Sequence, residues 1–219
     1  MQRKIVFSEG EYYHAYNRGV EKRKIFLSNN DRRRFIRLLY LANSTKNFVY
    51  RDVEQRRLDE IDRGAQLVAI GAWVLMPNHF HILIKEITKG GTSLFMQKLL
   101  TGYSSYFNKR YTRVGGLFQG AFHARHADTD EYLKYLFAYI HLNPIKLVDS
   151  SWKEAGIADR KTTEHFLQEY KHSSYFDYLG VKREEGKIIS REVFPEYFSD
   201  SFEFDTFISD WLTLRSIHR

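Results

Sequence analysis

The most informative absence in this sequence is cysteine, which does not occur among its 219 residues. Without thiols the chain forms no disulfides and offers no thiolate ligands for zinc. It has only three prolines, and no low-complexity tract or internal repeat. No apolar run approaches the roughly 20 residues of a membrane helix, and the N-terminus lacks the apolar stretch of a signal peptide. We therefore expect a cytoplasmic protein that does not insert into a membrane.

The residues that are present indicate a folded, basic protein. Hydrophobic residues make up 43% and aromatic residues 16% of the chain, which is enough for one substantial core with a smaller appendage. The formal net charge is +7, and basic residues cluster at 21–24 and 31–37. Basic proteins of this size often bind the phosphate backbone of nucleic acids, although such clusters also occur on ordinary solvated helix faces.

Hydrophobic periodicity predicts an alternation of strands and helices. Strands are predicted at 12–19, 66–77, 79–86 and 115–127, and helices at 31–43, 93–111, 128–143 and 204–217. This order predicts an α+β protein with a ferredoxin-like (RRM-like) arrangement, in which helices pack on a mostly antiparallel sheet. We expect residues 1–150 to form the main, catalytic domain, and residues 151–219 to form a C-terminal helical extension packed on or beside it.

The stretch LMPNHFHILI, residues 75–84, places two histidines in an otherwise apolar strand. Side chains alternate across a strand, so His79 and His81 project to one face, where two imidazoles can chelate one cation. Without cysteine, any further ligands must be oxygens or a third histidine. The simpler alternative is two histidines on the exposed face of a half-buried strand.

The helix predicted at 128–143 carries a row of tyrosines, with Tyr132, Tyr135, Tyr139 and Asn143 at spacings of three and four. This spacing places them on one broad face, so a phenol and a carboxamide can point into the same cleft. A tyrosine can act as a covalent nucleophile if a metal polarises the phosphate that it attacks. A tyrosine row of this kind is also typical of ordinary core and rim packing.

Several stretches, in this order, resemble one known family. They are YHAYNRG, MPNHFHILI, MQKLLTGYSSYFNKRY, GGLFQGAFHA, YLKYLFAYIHLNPIKLV and HSSYFDYLG, and together they span about residues 12–180. In their order and in their residues, these stretches resemble the REP-associated tyrosine transposases, a part of the single-tyrosine HUH transposases of bacterial insertion sequences. The two-histidine motif alone is weak, but the ordered set that ends in Tyr-Ile-x-x-Asn-Pro is specific.

The resemblance implies a DNA strand transferase or endonuclease. Tyr139 is then the nucleophile, which attacks a phosphodiester of single-stranded DNA and forms a 5′-phosphotyrosine link. His79, His81 and Asn143 are the implied ligands of a divalent metal, Mg²⁺ or Mn²⁺. Hairpin-forming, palindromic REP-like sequences are the implied targets, a bacterial nucleoid-associated location follows, and relatives act as monomers or homodimers.

The sequence also departs from the family pattern. The family usually has an arginine before the phenylalanine of GGLFQGAFHA, and here that position is Ala121; Arg125 is a neighbour that could substitute for it. The pair Tyr135 and Tyr139 matches the two-tyrosine spacing of replication initiators and some relaxases. We favour Tyr139, because the Tyr-Ile-x-x-Asn-Pro motif contains it and Asn143 follows one turn later.

Single strands bind through a basic groove combined with aromatic stacking. Candidate DNA contacts are Arg18, Lys22, Arg23, Lys109, Arg110 and Arg125.

Three other functions fit parts of the sequence. One is a nicking enzyme for rolling-circle replication or plasmid transfer that uses Tyr135 or Tyr139, and another is a domesticated transposase that binds DNA without cleaving it. The third, a ferredoxin-like protein with a structural metal, leaves the tyrosine helix unexplained.

Overall fold

The computed structural model describes residues 5–213, apart from the side chain of residue 155. Its centre is a four-stranded sheet made of β1 (Tyr12–Arg18), β2 (Val68–Met76), β3 (His79–Glu86) and β4 (His123–His126). The strands lie in the order β2-β3-β1-β4, and all three neighbouring pairs are antiparallel. This is the ferredoxin-like order, so the predicted α+β fold class is confirmed.

Helices cover both faces of the sheet. They are α1 (Asn29–Leu41), α2 (Tyr50–Val53), α3 (Gly91–Arg110), α4 (Asp130–Leu142), α5 (Trp152–Ala155), α6 (Arg160–Glu169), α7 (Tyr175–Tyr178) and α8 (Ser201–Thr213). Short 3₁₀ helices lie at Val20–Lys22, Leu58–Glu60, Asn143–Leu147, Glu184–Ile188 and Arg191–Val193. The helices α1 and α3 pack on one face, and α4 packs on the other with the C-terminal segments. Within residues 5–213 no helix is long and apolar enough to cross a bilayer.

Because helices cover both faces of the sheet, β2 is apolar along its whole length and does not alternate between apolar and polar residues. Every residue of β2 is buried. Trp73 and Leu75 belong to the core under α1 and α3, whereas Val74 and Met76 belong to the core under α4. Strands that are buried on both faces read as continuous hydrophobic runs.

The C-terminal segment covers the outer edge of β2. The backbone N–H of Leu75 donates to the carbonyl of His172 at 2.9 Å, and the N–H of Ser174 donates to the carbonyl of Trp73 at 2.9 Å. An unpaired strand edge invites pairing with other chains, so these bonds protect it. The boundary of the main domain at residue 150 stays a prediction.

The largest difference from the sequence-based expectation concerns the strand predicted at 115–127. Only His123–His126 form β4, and the preceding residues form turns with one isolated bridge between Gly19 and Phe118. Gly115 and Gly120 have φ angles of +87° and +71°, a left-handed conformation that interrupts an extended strand. The helix predicted at 204–217 runs from Ser201 to Thr213, and residues 214–217 lie outside the described residues.

Candidate active site

One cleft contains the histidines of β3 and the end of α4. It has a volume of about 670 Å³, and its lining includes Tyr16, His79, His81, Tyr139, Asn143 and Lys146. Alternation along β3 sends Phe80 and Ile82 into the core under α1 and α3. The two histidines therefore project towards α4 on the opposite face, as the sequence predicts.

The two imidazoles lie side by side, and each has a hydrogen-bond partner at Nδ1. The ring centres of His79 and His81 are 5.0 Å apart, with the ring planes nearly perpendicular. Nδ1 of His79 lies 2.6 Å from Oδ1 of Asn78, and Nδ1 of His81 lies 2.8 Å from Nε2 of His14. These contacts leave Nε2 of both rings as the nitrogen available to a ligand.

Both histidines are uncharged at neutral pH. Burial, followed by the positive charge of Lys146, lowers the pKa of His79 to about 4, although a hydrogen bond that the ring donates to the Asn143 carboxamide partly opposes this. Burial also lowers the pKa of His81 well below its usual value, and neighbouring His14 adds to the effect. A neutral imidazole keeps the lone pair that a metal ligand needs. The burial of His81, which is 6% exposed, contradicts the alternative of two surface histidines.

The structure brings Tyr139 against this pair. Its ring centre lies 5.4 Å from that of His81 and 5.5 Å from that of His14, in edge-to-face contacts. Burial raises the pKa of the Tyr139 phenol, and a hydrogen bond from Asn143 partly opposes the rise. The phenol is therefore protonated at neutral pH and needs an activating group to act as a nucleophile.

Asn143 is buried at the point where α4 ends. Pro144 stops the α-helix, and Asn143 begins the following 3₁₀ turn, where its Nδ2 donates to the backbone carbonyl of Tyr139 at 3.4 Å. Its side chain acts on both His79 and Tyr139 through hydrogen bonds. The carboxamide thus lies between the candidate nucleophile and one candidate ligand.

The other candidate nucleophile, Tyr135, lies further along α4 towards its N-terminus. Its ring centre is 5.8 Å from that of Tyr139 and 5.4 Å from that of Trp211 in α8. Tyr135 does not line the cleft. The geometry therefore favours Tyr139 over Tyr135.

The proposed DNA contacts fall into two groups. Arg18 and Lys22 line the cleft, and the Arg125 guanidinium lies 4.5 Å from the ring centre of Tyr132 on α4. Arg125 and the remaining three do not line the cleft. Of those three, Arg23 pairs with Glu21, Arg110 lies 3.7 Å from a carboxylate oxygen of Asp31, and Lys109 precedes Arg110 at the end of α3.

Sequence reasoning missed several groups in this region. Lys153, from the short helix α5, places its ammonium 4.2 Å from the ring centre of Tyr139. His123 stacks on Tyr16 in the cleft with ring centres 5.4 Å apart. No spacing rule connects Lys153 to Tyr139, because the chain leaves α4 and turns back before it reaches the lysine.

The donor set available to a metal is small. Within residues 5–213, no group of three or more histidine, aspartate or glutamate side chains is arranged to hold a metal ion. Two imidazoles and one carboxamide are the candidate donors of this cleft. Such an open set leaves positions for water and phosphate oxygens, as Mg²⁺ and catalytic metals require.

Comparisons with known proteins bear on the family and on the fold. The sequence profile of the family described as "Transposase IS200 like" matches residues 12–143, more than half of the chain. A REP-associated tyrosine transposase, solved bound to a REP hairpin, aligns with a TM-score of 0.52 and 14% identity, covering 84% of this chain and 90% of that one.

A second solved structure is less similar. It is a bacterial tRNA(His) guanylyltransferase (Thg1)-like protein in complex with ATP, with a TM-score of 0.39 and 11% identity, covering 77% of this chain and 72% of that one. This likeness is too weak to bear on the fold or the function. A search of curated proteins found no significant match.

Proposed function

Because the chain belongs to the IS200-like transposase family, we propose that it cleaves and rejoins single-stranded DNA through a covalent link to Tyr139. The observation that carries this proposal is the position of the Tyr139 ring, 5.4 Å from the ring of His81 in a shared cleft. A half-buried tyrosine beside two neutral imidazoles and a carboxamide suits phosphoryl transfer better than it suits packing alone.

The proposed step is an attack of the phenol oxygen on a DNA phosphorus. The Tyr139 Oη–P bond forms as the bond between phosphorus and the 3′ oxygen breaks. The phenol loses its proton, and the departing 3′ oxygen gains one. The product is a 5′-phosphotyrosine and a free 3′-hydroxyl, and attack by another 3′-hydroxyl reverses the step and joins DNA.

A magnesium or manganese ion fits the donors of the cleft. His79, His81 and Asn143 would hold it, since both imidazoles are neutral and keep Nε2 available. When bound, the ion would polarise the scissile phosphate and neutralise part of its charge. Imidazole nitrogens suit manganese better than magnesium, which prefers oxygen.

Folded single-stranded DNA is the proposed substrate. The structural neighbour was solved with a REP hairpin, and we propose a similar hairpin-forming, palindromic target for this chain. Arg18 and Lys22 line the cleft and would contact phosphates, and the stacked pair Tyr16 and His123 would offer an aromatic surface for a base. Arg125 would extend the positive surface along α4, whereas Arg23, Lys109 and Arg110 would contact only DNA that extends beyond the cleft.

The test is covalent trapping on a pool of hairpin oligonucleotides in Mn²⁺, followed by denaturing gels. A 3′-labelled strand should become attached to the protein, whereas a 5′-labelled strand should release a free fragment. Tyr139→Phe should abolish the adduct, and the matched variant Tyr135→Phe should retain it.

Other outcomes point to the alternative functions. An adduct that survives Tyr139→Phe and disappears in Tyr135→Phe would indicate a replication-type nicking enzyme. Tight binding without an adduct in Mg²⁺ or Mn²⁺ would indicate a DNA-binding protein that has lost catalysis. Either result would contradict the proposed role of Tyr139.

A further inference from the structure

The hydrogen-bond partners of His79 and His81 determine which nitrogen of each ring carries the proton. A neutral imidazole carries one proton, on either Nδ1 or Nε2, and only the bare nitrogen can bind a metal. Which nitrogen is bare depends on what the other nitrogen contacts.

His79 has two amide partners, Asn78 and Asn143, and its short hydrogen bond of 2.6 Å is the one to Asn78. Asn78 forms the turn between β2 and β3, and its Nδ2 donates to the backbone carbonyl of Lys22 at 3.0 Å. A carbonyl only accepts, so the nitrogen of the Asn78 amide must face Lys22 and its oxygen must face His79. That oxygen lies 2.6 Å from Nδ1 of His79 and also only accepts, which places the His79 proton on Nδ1.

The partner of His81 allows two arrangements, and the charges of the cleft favour one of them. His14 and His81 are both 6% exposed, and one proton lies between Nε2 of His14 and Nδ1 of His81. If His14 donated that proton, His81 would turn an Nε2–H towards a region that contains the ammonium groups of Lys146 and Lys153. The opposite arrangement turns a lone pair of His81 towards those two cations. His14 then keeps its proton in the field of one cation, Arg125, so this arrangement is electrostatically better.

We propose that Asn78 and His14 are positioning residues, which hold His79 and His81 with the proton on Nδ1 and a bare Nε2 available in the cleft. The inference deepens the proposed function and rests on it for the identity of the two ligands. Neither residue touches the DNA or the metal in this role, because each acts through the ring that it orients. The Lys22 carbonyl, which orients Asn78, belongs to the same positioning network.

The first test is the tautomer of each histidine in metal-free, DNA-free protein, read from ¹⁵N-labelled histidine by long-range ¹H–¹⁵N NMR. Resonances are assigned with His79→Gln and His81→Gln variants. We expect the proton on Nδ1 in both rings. A proton found mainly on Nε2 of His79 or of His81 would overturn the assignment.

The second test compares two substitutions of His14 by Mn²⁺ titration calorimetry without DNA. In His14→Gln the amide oxygen can occupy the place of Nε2 and still accept from His81, whereas His14→Leu removes the acceptor. We expect His14→Leu to weaken Mn²⁺ binding by about 10-fold to 100-fold, and His14→Gln to restore most of it. Equal affinity in the parent and His14→Leu, or equally weak binding in both variants, would overturn the positioning role.

The two tests separate this inference from the proposed function. Nδ1 protonation without any Mn²⁺ binding in the parent would support the tautomer assignment and contradict the metal site. Mn²⁺ binding that is unaffected by His14→Leu would retain the metal site and contradict the inference. An exposed histidine, His165, supplies the control variant His165→Leu, which should leave both readouts unchanged.

Discussion

The chemistry of individual residues in the cleft depends on burial. Burial keeps His79 and His81 neutral, which suits metal binding, but it also keeps the Tyr139 phenol protonated, which opposes nucleophilic attack. Nucleophilic attack by Tyr139 therefore requires a positive charge close to the phenol and to the phosphate. The proposed metal is one such source, and the lysines of the cleft are another.

Lys153 gives the first prediction at this scale. Its ammonium faces the Tyr139 ring at 4.2 Å, and burial lowers its pKa to about 8, so most of it is still charged at pH 7. Lys153→Met should slow single-turnover cleavage by about 10-fold, equivalent to about 1.4 kcal/mol of activation free energy, because the cation stabilises charge that develops at the phosphate.

The control for this experiment is Lys161→Met, which removes an exposed lysine of α6. The Lys161→Met protein should cleave DNA at the parent rate. The Lys153→Arg protein, which keeps the positive charge, should recover part of the cleavage rate that is lost in Lys153→Met. A Lys153→Met protein as fast as the parent would exclude a role for this cation.

At the scale of elements, α4 connects the site to the C-terminal part of the chain. His141 lies on the side of α4 that faces away from the cleft and is fully buried. Its Nδ1–H donates to the carbonyl of Phe137 at 2.8 Å, so its Nε2 accepts from the hydroxyl of Ser174 at 2.7 Å. Ser174 in turn is bonded to β2, where its hydroxyl oxygen accepts from the N–H of Trp73. One histidine thus ties the tyrosine helix to the segment that covers the sheet edge.

Removal of this link gives the second prediction. His141→Ala should lower the free energy of unfolding by about 2–4 kcal/mol, because it leaves a cavity and removes the hydrogen bond that the buried Ser174 hydroxyl donates to the ring. Urea denaturation measures the change, and His165→Ala on the exposed face of α6 is the matched control. Equal midpoints for the two variants would show that the link contributes little.

The elements also show which features the sequence could predict. Period-two alternation in β3 predicted that His79 and His81 share a face, and helical spacing predicted that Tyr139 and Asn143 lie one turn apart; both features follow from backbone geometry alone. The hydrogen bonds of residues 172–174 to β2 could not be predicted, because such contacts depend on packing between distant segments. The same reason applies to Lys153, and to His14, which reaches His81 only through the pairing of β1 with β3.

At the scale of the whole molecule, the buried histidines make stability depend on pH. Burial lowers the pKa of His14 and His79 to about 4 and that of His141 to about 3. In the unfolded chain these groups titrate near 6.5, so between about pH 6.5 and pH 4 the unfolded state binds more protons than the folded state. Their contribution to stability is therefore complete above pH 6.5 and is lost as the pH falls below it.

We expect the free energy of unfolding to fall by at least about 2 kcal/mol between pH 7.5 and pH 5, since each fully neutral histidine contributes about 1.4 kcal/mol per pH unit below 6.5. Urea denaturation at the two pH values measures this difference. An unchanged urea midpoint and slope would mean that these imidazoles take up protons in the folded protein over the same pH range as in the unfolded chain.

The central claim concerns the whole molecule acting on DNA, and peptide mapping of the covalent adduct tests it most directly. The protein would be trapped on a hairpin strand in Mn²⁺ and digested with protease and nuclease, and the nucleotide-bearing peptide would be sequenced by mass spectrometry. The proposed function predicts that the nucleotide is attached through its 5′ phosphate to Tyr139. Attachment at Tyr135, or at any other side chain, would contradict it.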